Sequence, residues 1–89
     1  MARVLVSLKI FPSDVDVDRD ALKKEIEENL PEYTSVYKFE EEPIAFGLVA
    51  IVAHILVPED RAGAIDKVES SLREIGTISD FQTLMVRRV

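Results

Sequence analysis

The chain reads as an α+β sandwich in the order β-α-β-β-α-β, with two helices on one face of a four-stranded antiparallel sheet. Three observations lead there. Two stretches carry apolar residues at helical spacing, and four others have the alternation or the dense β-branched character of strands. Between the two helical stretches lie two strand-like runs separated only by a short loop holding Pro43 and Gly47. Finally, 89 residues, 47% of them hydrophobic, suffice for one core and leave no room for a second, so a single domain spanning 1–89 is expected.

The elements follow in order. From Arg3 to Phe11 the sequence alternates, with Val4, Val6, Leu8 and Ile10 on one face and Arg3, Leu5, Ser7, Lys9 and Phe11 on the other. This is a half-buried strand with a period of two, and Pro12-Ser13-Asp14 ends it. Asp18 is the expected N-cap of the first helix, because Leu22, Ile26, Asn29 and Leu30 recur at helical spacing just after it. Lys23, Lys24, Glu25, Glu27 and Glu28 form its wet side, and Pro31 stops it.

The second strand spans Thr34 to Glu40, with Val36, Lys38 and Glu40 alternating against Ser35, Tyr37 and Phe39. The third, Leu48 to Val57, is the most apolar stretch and is expected in the middle of the sheet with neighbours on both edges. Ile65, Val68, Leu72 and Ile75 mark the second helix, which begins between Asp60 and Ala64, with Gly76 as the expected left-handed stop. Ile78 to Val89 is the last strand. Its register stays open, because Phe81, Leu84, Met85 and Val86 do not alternate cleanly. Right-handed crossovers then give the ferredoxin-like arrangement, with the first and third strands central.

The hairpin loop is the unusual stretch. Glu40, Glu41 and Glu42 run into Pro43, followed by the apolar Ile44-Ala45-Phe46-Gly47-Leu48. Pro43 fixes its own φ, Gly47 permits a backbone most residues avoid, and Ala45 and Phe46 are expected at the tip. On composition alone the plain reading is that Phe46 folds back over the core. The other reading is a contact residue, since loops run over the surface and carry function.

Composition and motifs narrow the function. A net charge of −6 and a pI near 4.7 argue against a general nucleic-acid binder. The base-stacking version of the fold needs aromatic residues on the central strands, where this chain has Ser7, Ala50 and Val52. With no cysteine there is no disulfide framework, thiolate metal site or cysteine nucleophile. The alternating Asp14, Asp16, Asp18 and Asp20 lack the glycine and closing glutamate of a calcium loop. His54 is the only histidine, and no Ser, Asp or Glu is expected to flank it on its own face, so it reads as a structural or open-face residue. The first residues are too short and too alternating for a signal peptide, and Ile44 to Val57 is too short to span a bilayer. A soluble cytoplasmic protein is expected, with no membrane and no cofactor.

The loop Pro43-Ile44-Ala45-Phe46-Gly47-Leu48, the strand to Val57 with the acidic step Glu59-Asp60, and the end Arg87-Arg88-Val89 together resemble the archaeal elongation factor 1-beta family. They are similar also to the C-terminal exchange domain of its eukaryotic counterparts, and the resemblance covers essentially the whole chain. It implies a guanine-nucleotide exchange factor, not an enzyme, acting on the translation GTPase elongation factor 1-alpha and monomeric when free. By that resemblance Phe46, flanked by Pro43, Ile44, Ala45 and Gly47, enters a pocket on the GTPase near its nucleotide site. Arg88, next to last, approaches the magnesium and phosphates, with Arg87 as the alternative. Eukaryotic members carry lysine there. Arginine is planar and forked, not an equivalent point charge. The competing reading is a small-molecule-sensing or oligomerisation module of the same fold, using the apolar open face of Leu5, Val52 and Leu56.

Overall fold

In a computed structural model, which describes residues 2–89, the chain forms six main elements. These are β1 (Arg3–Pro12), α1 (Arg19–Asn29), β2 (Ser35–Pro43), β3 (Val49–Pro58), α2 (Ala64–Arg73) and β4 (Ile78–Arg88), with a 3-10 turn at Ala45–Gly47. All sheet pairs are antiparallel, in the order β2-β3-β1-β4. The expected ferredoxin-like arrangement, with β1 and β3 in the centre, is what forms.

Alternation in β1 and β3 decides where the core sits. Val6, Leu8 and Ile10 meet Ile51, Ala53, Ile55 and Val57 beneath the helices. Leu22 and Ile26 of α1, and Val68 and Leu72 of α2, close over them, and all four are buried. Each large aliphatic side chain removed from water in this way contributes about 1.5–3 kcal/mol. The opposite face of the sheet carries no helix.

Asp18 is the N-cap of α1, with its carboxylate accepting from the N–H groups of Asp20 at 3.0 Å and Ala21 at 3.2 Å. Leu30, extended before Pro31, ends the helix. The second helix departs from expectation at its C-terminus. It finishes at Arg73, and Glu74 and Ile75 donate to Ser71 and Leu72, three residues back, so the chain leaves through tightened turns. Gly76 has no positive φ and is not a left-handed stop. The left-handed glycine is Gly63, at the start of α2.

Two bulges account for the strand patterns. In β2 the register shifts between Val36 and Lys38, which leaves Tyr37 exposed. Val36 and Phe39, rather than Val36 and Lys38, then point to the core, and the strand runs on to Pro43. In β4 a shift opposite Ser7 and Leu8 makes Leu84 an extra residue. That single insertion is why Phe81, Leu84, Met85 and Val86 fail to alternate.

Candidate functional site: the hairpin tip and the chain end

Phe46 is 95% exposed, so it does not fold back over the core. Its backbone lies in the left-handed region at φ 61°, ψ 35°, and Gly47 follows at φ 78°. A left-handed conformation costs a residue with a side chain about 1–2 kcal/mol. Ile44 N–H donates to Leu48 O at 2.8 Å and Leu48 N–H to Ala45 O at 3.2 Å, which locks the loop that imposes it. Pro43, paired with Val49, ends the ladder just before the loop. The surrounding loop therefore holds an exposed apolar residue in a strained backbone.

The three glutamates leading into the loop brace its stem on three elements. Glu40 pairs with His54 of β3, with Nε2 to Oε1 at 2.6 Å. Glu41 lies on the helix side, where it accepts from Arg19 Nε at 3.1 Å and Lys23 Nζ at 2.9 Å of α1. Glu42 meets Lys9 of β1 at 2.7 Å. The hydrogen bond from His54 is the largest influence holding the Glu40 carboxyl below the usual glutamate value, followed by Lys38. Lys23, through its hydrogen bond, does the same for Glu41. Helical spacing marked Lys23 as merely solvated. It is Glu41's partner because the fold brings α1 alongside β2.

His54 also has neighbours that its own strand does not reveal. Ser7 Oγ lies 2.7 Å from Nδ1. An ionised Glu40 can only accept, so Nε2–H donates to it. The expectation that no Ser or Glu shares its face therefore fails, because β1 and β2 supply both. The order of groups is that of a hydrolytic triad, but Ser7 is buried at 2% exposure. It is a structural chain of hydrogen bonds across three strands.

One further residue joins the tip. A Cβ at Gly47 would sit 3.8 Å from Val15 Cγ1, so the loop before α1 lies against the hairpin and presents half-exposed Val15 beside Phe46. Nothing in the spacing of Asp14-Val15-Asp16 signals this.

At the other end, β4 pairing puts the two arginines on opposite faces of the sheet. Arg87 lies opposite Leu5 on the open face, and Arg88 lies opposite Val4 on the helix side. Arg88 Nη2 forms an ion pair with Glu59 Oε1 while the side chain stays three-quarters exposed. Leu5 and Val52, proposed as an open apolar surface, are already buried. No cluster of three or more His, Cys, Asp or Glu residues suited to a metal ion occurs among the described residues. No helix there is long and apolar enough to cross a membrane.

An exposed apolar ring at one end of a small sheet and an arginine pair at the other are the site's most prominent surface features. The model of the EF-1 guanine nucleotide exchange domain matches residues 5–89. Elongation factor 1-beta of Methanothermobacter thermautotrophicus is 44% identical over 89 residues, covering 100% of this chain and 99% of the relative. That of Sulfolobus acidocaldarius is 40% identical over 86 residues, covering 97% and 96%. The chain belongs to the elongation factor 1-beta exchange-domain family. Among solved structures, the C-terminal domain of the MgtC protein from Mycobacterium tuberculosis superposes with a TM-score of 0.55 at 11% identity, covering 94% of this chain and 86% of that one. That likeness concerns the fold alone.

Proposed function

We propose that this chain promotes GDP release from the translation GTPase elongation factor 1-alpha, by a two-point contact through Phe46 and Arg88. The observation that carries the reading is Phe46 itself, a fully presented aromatic ring held in a strained backbone on a braced stem. Bound GDP is retained through its phosphates and the magnesium that neutralises them. A factor that binds the nucleotide-free GTPase more tightly than the loaded one weakens nucleotide binding by the same factor. Burying the Phe46 ring supplies about 1.5–3 kcal/mol, or roughly one to two powers of ten. Arg88 adds a forked cation that competes with magnesium for phosphate oxygens.

The two groups act at separate places. Phe46 lies beyond the Pro43–Val49 pair, and Arg88 aligns through Val4 with Val57, eight residues further along β3. At about 3.3 Å per residue these strand positions stand about 26 Å apart. A magnesium–phosphate site is too small to receive both, so we place Arg88 at the nucleotide and Phe46 in a second, apolar pocket on the GTPase. Ala45, Ile44 and Gly47 shape the tip, and Arg87 faces away from Arg88. The factor acts as a monomer, makes and breaks no bond and uses no cofactor.

The test is release of fluorescent GDP from elongation factor 1-alpha by wild type, Phe46→Ala and Arg88→Ala. Acceleration by wild type that falls in both folded variants supports the reading. No acceleration at any concentration overturns it and returns the fold to ligand sensing or assembly.

A further inference from the structure

We infer that Glu59 is a positioning residue for Arg88: it holds the guanidinium in the orientation in which exchange uses it. The inference rests on the exchange reading above and deepens it. Glu59 stands just beyond β3, and its own N–H donates to Ala2 O at 3.2 Å, so its backbone is tied to the strand beside Arg88. The end of β4 is tied likewise, with Arg88 opposite Val4 and Val89 N–H donating to Arg3 O at 2.9 Å. Both backbones are thus fixed, and the long arginine side chain is the remaining freedom. The ion pair with Glu59 restricts it.

The geometry is selective. The ion pair joins Nη2 of Arg88 to Glu59 Oε1, and the side chain remains 75% exposed, which leaves Nε and Nη1 as outward donors for oxyanions. Arg61, which lines the same cleft as Glu59, stacks instead on the Tyr33 ring at 4.0 Å. An arginine ordered before binding loses less freedom on reaching its target than a mobile one, which is the general advantage of preorganisation. Glu59 therefore acts on the step in which Arg88 engages.

The experiment measures GDP release across a range of factor concentrations for wild type, Glu59→Ala, Glu59→Gln, Arg88→Ala and the Glu59→Ala/Arg88→Ala double variant, with thermal melts of each. Losing the order of one long side chain should lower the maximal rate of Glu59→Ala by about two- to ten-fold, with the half-saturating concentration little changed. Glu59→Gln, which keeps an acceptor oxygen, should recover part of that rate. In the Arg88→Ala background, removing Glu59 should cost nothing further. A Glu59→Ala rate equal to wild type overturns the inference. So do losses that multiply in the double variant, and a higher rate in Glu59→Ala would make the contact a restraint rather than a support. If wild type accelerates release but Arg88→Ala matches it, this inference falls while the Phe46 contact stands. If wild type does nothing, the exchange reading falls and takes this one with it.

Discussion

Phe46 and Arg88 occupy opposite ends of one sheet in a molecule 41 Å long. Strand β3 links them, starting beside the hairpin tip and finishing opposite the strand position that Arg88 shares with Val4. Nothing between the ends needs to move for both to act. The length of the sheet sets the distance between these two ends.

Removing the Phe46 ring should separate function from stability. Phe46→Ala removes no buried surface, so its unfolding free energy should stay within about 0.5 kcal/mol of wild type. Phe46→Gly should match or exceed wild-type stability, because glycine takes the left-handed backbone without the side-chain penalty. Both should lower the exchange efficiency by about ten-fold or more. Urea melts and GDP-release curves on the same samples check this.

The two terminal arginines should not be equivalent. Arg88→Ala should slow exchange, whereas Arg87→Ala, altering a residue on the open face opposite Leu5, should leave the maximal rate near wild type. Arg88→Lys keeps the charge but loses the fork, so it should fall between. Saturation curves for the three variants give the comparison.

Acid should loosen the hairpin stem. Glu40 and Glu41 are held below their usual pKa by His54 and Lys23 in the folded chain, so the folded state binds their protons less readily than the unfolded state. Their contribution is complete above the ordinary glutamate range and is lost as pH falls through and below it. Glu41→Gln should flatten this acid limb in thermal melts recorded across pH. Because the ion pairs are exposed, added salt should flatten it too.

The cap of α1 offers a purely structural control. Asp18→Ala leaves the N–H groups of Asp20 and Ala21 without their acceptor and should destabilise the chain by about 1 kcal/mol. For a domain of this size that lowers the melting temperature by about 4–8 °C. Exchange measured well below the transition should be unaffected, since Asp18 is on neither contact.

Much of the molecule was legible before folding. The period-two pattern of β1 and β3, the helical spacing of Leu22 and Ile26, the Asp18 cap and the Pro31 stop are local signals, because neighbours in sequence decide them. Phe46 in its Pro43–Gly47 frame stood out for the same reason, although composition favoured burying it. The bulges at Tyr37 and Leu84 were not legible, since a register shift depends on the facing strand. Gly76 misled because a glycine after a helix suggests a left-handed stop that the tightened last turn of α2 makes unnecessary.

The sequence by itself determined the order of elements and the core face of each central strand, both consequences of spacing over a few residues. Only the tertiary structure decided which charges meet. It paired Glu41 with Arg19 and Lys23, His54 with Ser7 and Glu40, and Arg88 with Glu59. It also placed Phe46 and Arg88 at opposite ends. Ion pairs and distances between strands depend on register, and register is set by how whole strands bury their faces against one another.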